Sequence, residues 1–282
     1  CDYQDRCKSE LPKNNVTSYT ILPYVNKKLK TYMSENRTID LQKVPANHSL
    51  KRKDYRENVY QIIQNAHKNN EDWINPELKN LFKDYTFPFY FMDFETITQG
   101  VPIIKGTFPY EQVPFQWSVH KWEREDKDID KGKSFLKFSD QNIERQFAET
   151  LLQALGKKGT IFAHSANSVE IDKLKKLKLK DSCKDLADKI DKVIERTEDS
   201  LVLSRMNFYS PLMNGDWGIK SIIKAIPNCP INYKELDNID GGDGEKLLSQ
   251  AKIAVAFNST VVYNIIASNR NLIIPNFNNE NK

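Results

Sequence analysis

The stretch that decides the fold is Phe87–Ile97, FPFYFMDFETI, an apolar strand that carries two carboxylates, Asp93 and Glu95. Because side chains alternate between the two faces of a strand, residues two positions apart point to the same side. We therefore expect Asp93 and Glu95 to project together from a strand that otherwise belongs to the core. Two like charges so close are costly to bury unless a cation neutralises them. The pattern predicts a divalent metal site, and the alternative is a pair of acids that faces solvent at a strand end.

The bulk composition is that of an ordinary globular protein. The 282 residues are 39% hydrophobic and 28% charged, a chain long enough to bury one substantial core. The net charge of +4 does not by itself indicate a nucleic-acid-binding protein. No stretch approaches the roughly 18 apolar residues that a membrane span needs, so we expect no membrane partner. The four cysteines are too few and too scattered for a disulfide framework, which favours a cytoplasmic setting.

Two of the cysteines lie at the start of the chain, Cys1 and Cys7 in CDYQDRC. We interpret them as candidate ligands of a metal or iron–sulfur site whose other ligands lie upstream of this sequence. The alternative is a pair of incidental thiols, and the spacing of two cysteines does not decide between these interpretations.

Patterning divides the chain into three segments. Residues 1–85 are predicted to form a helical adapter, with a helical stripe over Tyr55–His67. Residues 86–268 are predicted to form an α/β domain, in which a mixed sheet is flanked by helices. Residues 269–282 are rich in asparagine and are predicted to be a flexible tail.

Apolar periodicity predicts the further elements of the α/β domain. The predicted strands are Phe115–Trp122, Lys133–Phe138, Thr160–Ala163 and Leu201–Leu203. The predicted helices are Ile143–Leu155, closed by Gly156, and then residues 167–179, 183–194, 217–226 and 245–266. Three strands, a helix, a strand and further helices are typical of a mixed sheet.

A site that binds two metal ions needs carboxylates from several elements, because Mg²⁺ and Mn²⁺ prefer oxygen ligands. Glu170, in the segment Ile161–Leu174, is the best candidate for a third ligand, since it falls on the first turn of a helix after a buried strand. Leu174, one turn later, would face the core and so direct Glu170 towards the strand ends. Asp172 is the second choice. The alternative is an ordinary favourable interaction of Glu170 with the helix dipole.

Aromatic and amide side chains near the acidic strand are candidates for binding single-stranded nucleic acid. Tyr110, Phe115 and Gln116 would stack bases or hold a strand end. Trp217 and Lys220 begin a helix after a turn, a position at which backbone N–H groups can meet a phosphate. The alternative for these residues is ordinary packing or solvation.

Three segments in this order, MDFETI, AHSANSVEIDKL and TEDSLVLSR, resemble the DnaQ-like 3′–5′ exonucleases of the DEDD superfamily, whose fold is ribonuclease H-like. The resemblance implies that Asp93, Glu95 and Glu170 are catalytic residues that hold Mg²⁺ or Mn²⁺. It also implies hydrolysis of the phosphodiester bonds of DNA or RNA from the 3′ end by a two-metal mechanism. Glu170 matches the second motif with Glu in place of Asp and one residue inserted, and Asp199 matches a supporting Asp.

A closer similarity, covering nearly the whole chain, is to bacterial proteins that carry the DUF2779 domain. It rests on CDYQDRC, on residues 94–122, and on residues 214–228 and 232–242, NGDWGIKSIIKAIPN and NYKELDNIDGG. In that branch the domain often follows a RecB-like or Cas4-like nuclease region that ends in cluster-binding cysteines. The resemblance therefore implies such a region upstream in the same chain, and an iron–sulfur site that Cys1 and Cys7 complete.

The sequence departs from the superfamily at its final carboxylate. In the DUF2779 branch this Asp follows a Tyr in a C-terminal helix, whereas Phe257 and Val261 occupy the equivalent positions here. No acidic residue lies between Glu245 and Glu280. Two functions are therefore left open: an active exonuclease, or a catalytically degenerate module that binds nucleic acid or a partner protein.

Overall fold

The computed structural model describes residues 17–226, apart from residues 103, 125, 128 and 138–142. Cys1, Cys7 and everything predicted beyond residue 226, including the position of Val261, lie outside the described residues. The described chain divides into two compact units. The first contains residues 17–75 and 204–226, and the second contains residues 76–203.

The described residues contain both helices and strands. The α-helices are α1 (Lys27–Glu35), α2 (Val59–Asn69), α3 (Leu78–Leu81), α4 (Ile143–Leu155), α5 (Glu170–Leu177), α6 (Ala187–Glu195), α7 (Ser200–Asn207) and α8 (Ile219–Ala225). The strands are β1 (Trp73–Ile74), β2 (Phe89–Thr98), β3 (Gln112–Trp122), β4 (Lys133–Leu136), β5 (Ile161–Ala163), β6 (Thr197–Asp199) and β7 (Phe208–Tyr209). No described helix combines the length and the apolar composition that crossing a membrane requires.

The second unit is built on a five-stranded mixed sheet in the order β4-β3-β2-β5-β6. β2 pairs antiparallel with β3, and β3 pairs antiparallel with β4, whereas β5 and β6 join in parallel on the other side of β2. Because parallel neighbours need a crossover connection, β5 is reached through α4, and β6 through α5 and α6. The predicted α/β architecture, a mixed sheet flanked by helices, is confirmed.

One face of this sheet carries the core of the second unit. Tyr90, Met92 and Phe94 of β2 belong to the core, together with Phe147 and Leu151 of α4. The helices α4, α5 and α6 cover this face with their buried apolar residues. Since side chains alternate along a strand, the odd-numbered residues of β2, including its two acids, point to the opposite face.

The helix α4 ends at Gly156, as predicted. The φ of 57° at this residue lies in the left-handed region, which glycine adopts without strain. Arg196 then donates to the carbonyl oxygens of Leu155 and Gly156 (2.9 and 2.7 Å) and to those of Lys158 and Gly159 (2.7 and 3.0 Å). One guanidinium therefore ties the end of α4 to the start of β6.

The prediction of a strand at Leu201–Leu203 is wrong. These residues lie in α7, and the remaining strand of the sheet is β6, directly before that helix. Asp199 at the end of β6 accepts a hydrogen bond from the Leu201 N–H through Oδ1 (3.0 Å), and so caps the helix. A short apolar run fits a buried strand or a helix equally well, and the cap decides for the helix.

Other predicted boundaries differ by a few residues. β3 begins at Gln112, before the predicted Phe115, and α5 begins at Glu170 instead of residue 167. The helix predicted over residues 183–194 starts as a 3-10 turn, Asp181–Leu186, before α6 begins. These differences lie at element ends, where sequence patterns are least decisive.

The first unit is mainly helical. The apolar stripe predicted over Tyr55–His67 is found in α2, in which Val59, Ile63 and Ala66 are buried. β1 and β7 pair antiparallel as a separate two-stranded sheet of this unit.

Candidate acidic site

β2 places its two acids on the sheet face opposite the core. In the antiparallel register, Asp93 lies across from Ser118 and Glu95 lies across from Gln116. Asp93 is partly buried, whereas Glu95 is exposed. The register shifts directly after Glu95, which leaves Phe115 as an extra residue on β3. Such bulges bend a strand pair and redirect its side chains.

Glu170 reaches β2 at the point where β5 ends. The Tyr90 N–H donates to the carbonyl oxygen of Thr160, so the even-numbered residues of β2 direct their N–H groups towards β5. β5 stops at Ala163, and the next free N–H of this series, that of Phe94, donates instead to Oε1 of Glu170 (3.3 Å). The carboxylate of Glu170, in the first turn of α5, therefore accepts the hydrogen bond that a longer β5 would have accepted. Glu170 is only 1% exposed.

Burial is the main cause of the raised pKa values at this site. The pKa of Glu170 rises to about 8, through burial first and then through the charge of Asp93. The pKa of Asp93 rises to about 7, through burial first and then through the charge of Glu95. The N–H of Phe94 lowers both pKa values but does not offset burial. In the part of the chain that the structure describes, none of these three acids forms an ion pair.

The chemistry of the site fits a hard cation. Oε2 of Glu170 is buried without a hydrogen-bond partner among the described residues, and the carboxylate of Asp93 is close enough for its charge to raise the pKa of Glu170. Over the same residues, no group of three or more His, Cys, Asp or Glu side chains converges on one point. Mg²⁺ is commonly held by one or two carboxylates together with water and substrate phosphate, so two protein carboxylates are a sufficient set for it.

Asp199 is already occupied by hydrogen bonds. Its Oδ2 accepts from the backbone N–H and from the side-chain amide of Asn167 (3.0 Å each), and its Oδ1 accepts from the Leu201 N–H. These bonds fix the loop between β5 and α5, from which Glu170 projects. His164 lies in the same loop and shares a hydrogen bond with Ser200 (Nδ1 to Oγ, 3.2 Å).

Asp172, the second choice for a third ligand, has a different environment. Its carboxylate is paired with the ammonium groups of Lys173 and Lys176 (2.7 and 2.8 Å), and their hydrogen bonds lower its pKa. Glu170, two residues earlier, has no such partner. The structure therefore distinguishes the two acids of α5, and only Glu170 is brought close to the acids of β2.

Comparison with known protein families identifies one domain. A family model described as "Domain of unknown function (DUF2779)" matches residues 90–218. These residues form a DUF2779 domain. No curated protein and no solved structure matches the chain. The comparisons give no support to the resemblance to DnaQ-like exonucleases, which stays a prediction.

The acidic site lies within the DUF2779 match, and two of the predicted nucleic-acid contacts lie beside it. Gln116 is the cross-strand neighbour of Glu95, and Phe115 is the bulged residue next to it. Tyr110 lies in the loop between β2 and β3 and is 75% exposed. Its backbone adopts a left-handed conformation (φ 61°), and its N–H donates to the carbonyl oxygen of Gln99 (2.8 Å). The loop thus holds an aromatic ring in solvent.

The other two predicted contacts, Trp217 and Lys220, belong to the first unit. Trp217 is 3% exposed, and its ring N–H donates to the carbonyl oxygen of Phe208 (2.9 Å). Trp217 is therefore a packing residue, which was the alternative to a nucleic-acid contact. Lys220 lies in the first turn of α8, and Asp216 accepts from the Gly218 N–H at the start of that helix (2.8 Å). The carboxylate of Asp216 thus accepts a backbone hydrogen bond at the start of α8, where the prediction placed a phosphate.

Sequence patterns did not single out two further exposed apolar side chains of the DUF2779 domain. Val101 and Phe108 are 78% and 73% exposed, in the same loop as Tyr110. The available signal was the presence of large apolar residues inside a stretch rich in glycine and proline. The contact between Glu170 and the backbone N–H of Phe94 has no sequence signal, because it depends on where β5 ends.

Proposed function

We propose that this protein is a metal-dependent 3′–5′ exonuclease that hydrolyses phosphodiester bonds of DNA or RNA. The observation that supports the proposal most directly is that a buried carboxylate, Glu170, lies close to a partly buried one, Asp93, and that neither forms an ion pair among the described residues. A fold does not bury two uncompensated acids without cost, and a divalent cation removes that cost. The 3′ polarity and the exonuclease activity rest on the resemblance of the three motifs.

The residues of the site take distinct roles in this proposal. Mg²⁺ or Mn²⁺ supplies charge stabilisation and lowers the pKa of water when it is bound. Asp93 and Glu170 lose their protons when they bind the cation, and burial keeps bulk water away from them. Glu95 is exposed at the rim, where it faces the substrate side. Gln116 and Tyr110 hold the terminal nucleotide, one by hydrogen bonding and the other by stacking.

The finer structural predictions belong to the same proposal. We propose that the sheet is ribonuclease H-like, which is supported by the three antiparallel strands, the crossover helix and the two parallel strands that follow. We further propose an upstream RecB-like nuclease region, with Cys1 and Cys7 as ligands of its iron–sulfur cluster. These two cysteines lie outside the described residues, and this part rests on the resemblance alone.

A second candidate function is a module that binds nucleic acid or a partner protein without hydrolysis. It is favoured by the absence, among the described residues, of a third acid that converges on Asp93 and Glu170. The lack of any acidic residue between Glu245 and Glu280 points the same way. This function predicts salt-sensitive binding of single strands without turnover in any metal.

The test is the degradation of end-labelled single-stranded DNA and RNA with Mg²⁺ or Mn²⁺. We expect the wild type to remove nucleotides from the 3′ end, and Asp93→Asn to be slower by more than about 100-fold, because it loses a direct ligand. Asp172→Asn is the matched control, since it removes a nearby carboxylate that lysines already neutralise. Degradation that is equally fast in Asp93→Asn, after identical purification, would refute the proposal. No degradation by the folded wild type would favour the binding module.

A further inference from the structure

A groove of about 810 Å³ runs between α4 and α6, away from the acids of β2. Its floor is apolar and includes Leu152, Leu186 and Val193. Its rim is charged, with cations contributed by both helices and by the turn after α4. A concave surface of this kind can bind a ligand that is partly apolar and partly anionic.

The ends of the groove are fixed by two arginines. Arg145, on the first turn of α4, donates to the carbonyl oxygen of Ser182 and to the carboxylate of Asp185, just before α6. Arg196, just after α6, donates to the carbonyl oxygen of Gly156, just after α4. The two helices therefore run side by side in the same direction. Gly156 lies eleven positions after Arg145, so the groove is roughly 16 Å long.

One end of the groove lies at the carboxyl ends of the strands, the end at which the acidic site is also found, although the acids of β2 point to the other face of the sheet. β4 and β5 are both parallel to β2, and α4 connects them, so the first turn of α4 lies towards the carboxyl ends of these strands. Glu170 also lies beyond the carboxyl end of β5. The groove therefore leads from the amino ends of the strands towards the edge at which the acidic site is found.

The charges of the groove do not cancel. Arg145 pairs with both acids of the rim, Glu149 and Asp185, and Arg196 is engaged by carbonyl oxygens. The remaining cations are Lys157, Lys189 and Lys192. All three are exposed, and none forms an ion pair among the residues that the structure describes.

We propose that this groove binds the phosphate backbone of a single-stranded nucleic acid, with its bases against the apolar floor. The inference rests on the proposed function, because the groove would hold a second part of the strand that the acidic site would hydrolyse. Lysine ammonium groups suit phosphates as point charges, and the apolar floor suits the faces of bases. An acidic polypeptide would satisfy the lysines but would leave the apolar floor without a partner of that chemistry.

The experiment measures binding of a fluorescent oligothymidylate and an oligouridylate to the full chain in EDTA, where hydrolysis does not contribute. The groove variant combines Lys157→Gln, Lys189→Gln and Lys192→Gln. The matched control combines Lys131→Gln, Lys133→Gln and Lys175→Gln, which removes the same charge from exposed lysines outside the groove lining. Circular dichroism confirms that each variant is folded, and polyglutamate serves as a competitor.

We expect the groove variant to bind about tenfold more weakly, and the slope of log K against log salt to fall by about 2, as expected for three lost phosphate contacts. The control should bind like the wild type. Equal losses in both variants, or no loss in either, would overturn the proposal. So would a wild type that binds polyglutamate but not the oligonucleotides, or neither of them.

The hydrolysis assay keeps this inference separate from the proposed function. Loss of binding in the groove variant of a protein that does not hydrolyse any substrate would support the groove and refute the exonuclease. Hydrolysis together with unchanged binding would refute the groove alone.

Discussion

Two groups of acidic side chains in the second unit can be compared directly. At the acidic site, Asp93 is partly buried and Glu170 is buried, and their pKa values rise to about 7 and about 8. At the start of the groove, Glu149 and Asp185 flank Arg145, which forms ion pairs with both of them. The hydrogen bond from Arg145 lowers the pKa of Asp185.

The comparison shows that this fold can provide a cation to its acids, and that it does so where the acids serve structure. The side chains of the groove acids, Glu149 and Asp185, are 44% and 61% exposed, so they would have been inexpensive to leave unpaired. Glu170 is 1% exposed and forms no ion pair among the described residues, so its charged form is costly there. The divalent cation that we propose for this site would offset that cost.

The largest effect on stability should come from pH. A carboxyl group whose pKa is higher in the folded than in the unfolded chain binds more protons when folded, so the free energy of unfolding falls as pH rises. For Glu170 the fall extends from its ordinary value of 4.5 to about 8, and for Asp93 from 3.8 to about 7. Without divalent cations we expect a loss of a few kcal/mol across this window, measured by urea unfolding in EDTA.

Two variants test which acids cause this dependence of stability on pH. Glu170→Gln should make the pH dependence less steep, because the amide cannot ionise and only the contribution of Asp93 remains. Asp185→Asn should leave it unchanged, since the pKa of Asp185 is lowered, and its contribution is present above 3.8 and lost only as pH falls. A wild type whose stability does not change over the window would show that the two acids are not held as described.

The acids of β2 could be predicted from the sequence more completely than the position of Glu170. β2 was found because its alternation is local, and the same alternation put both of its acids on one face. Glu170 was selected from its place on a first helical turn, but its contact with Phe94 depends on the length of β5. Leu201–Leu203 was assigned wrongly because the cap from Asp199 outweighs a short apolar run.

The groove could not be predicted at all. Lys157 lies after α4, whereas Lys189 and Lys192 lie more than thirty residues later, in α6. Only the pairing of the two helices brings these lysines to one concave surface, and no local pattern encodes that pairing. The sequence also gives no sign that Arg145 pairs with acids or that Arg196 donates to carbonyl oxygens.

The smallest effect on stability should come from the exposed ion pairs of Arg145 with Glu149 and Asp185. Arg145→Gln removes the cation shared by Glu149 and Asp185, and solvent can replace it because both acids are exposed. We expect a minor shift of the urea midpoint, well below the change that pH produces in the wild type. A shift as large as that change would break the comparison, because it would show that the exposed acids need their cation as much as the buried ones.

The most direct test of the central claim is a calorimetric titration of the full chain with Mn²⁺. We expect the wild type and Glu149→Gln to bind the ion with the same affinity, and binding to release protons from Asp93 and Glu170. We expect Asp93→Asn and Glu170→Gln to bind much more weakly, because each loses one of two ligands. Unchanged affinity in these two variants, or no binding by the wild type, would contradict the claim that the buried acids are held for a cation.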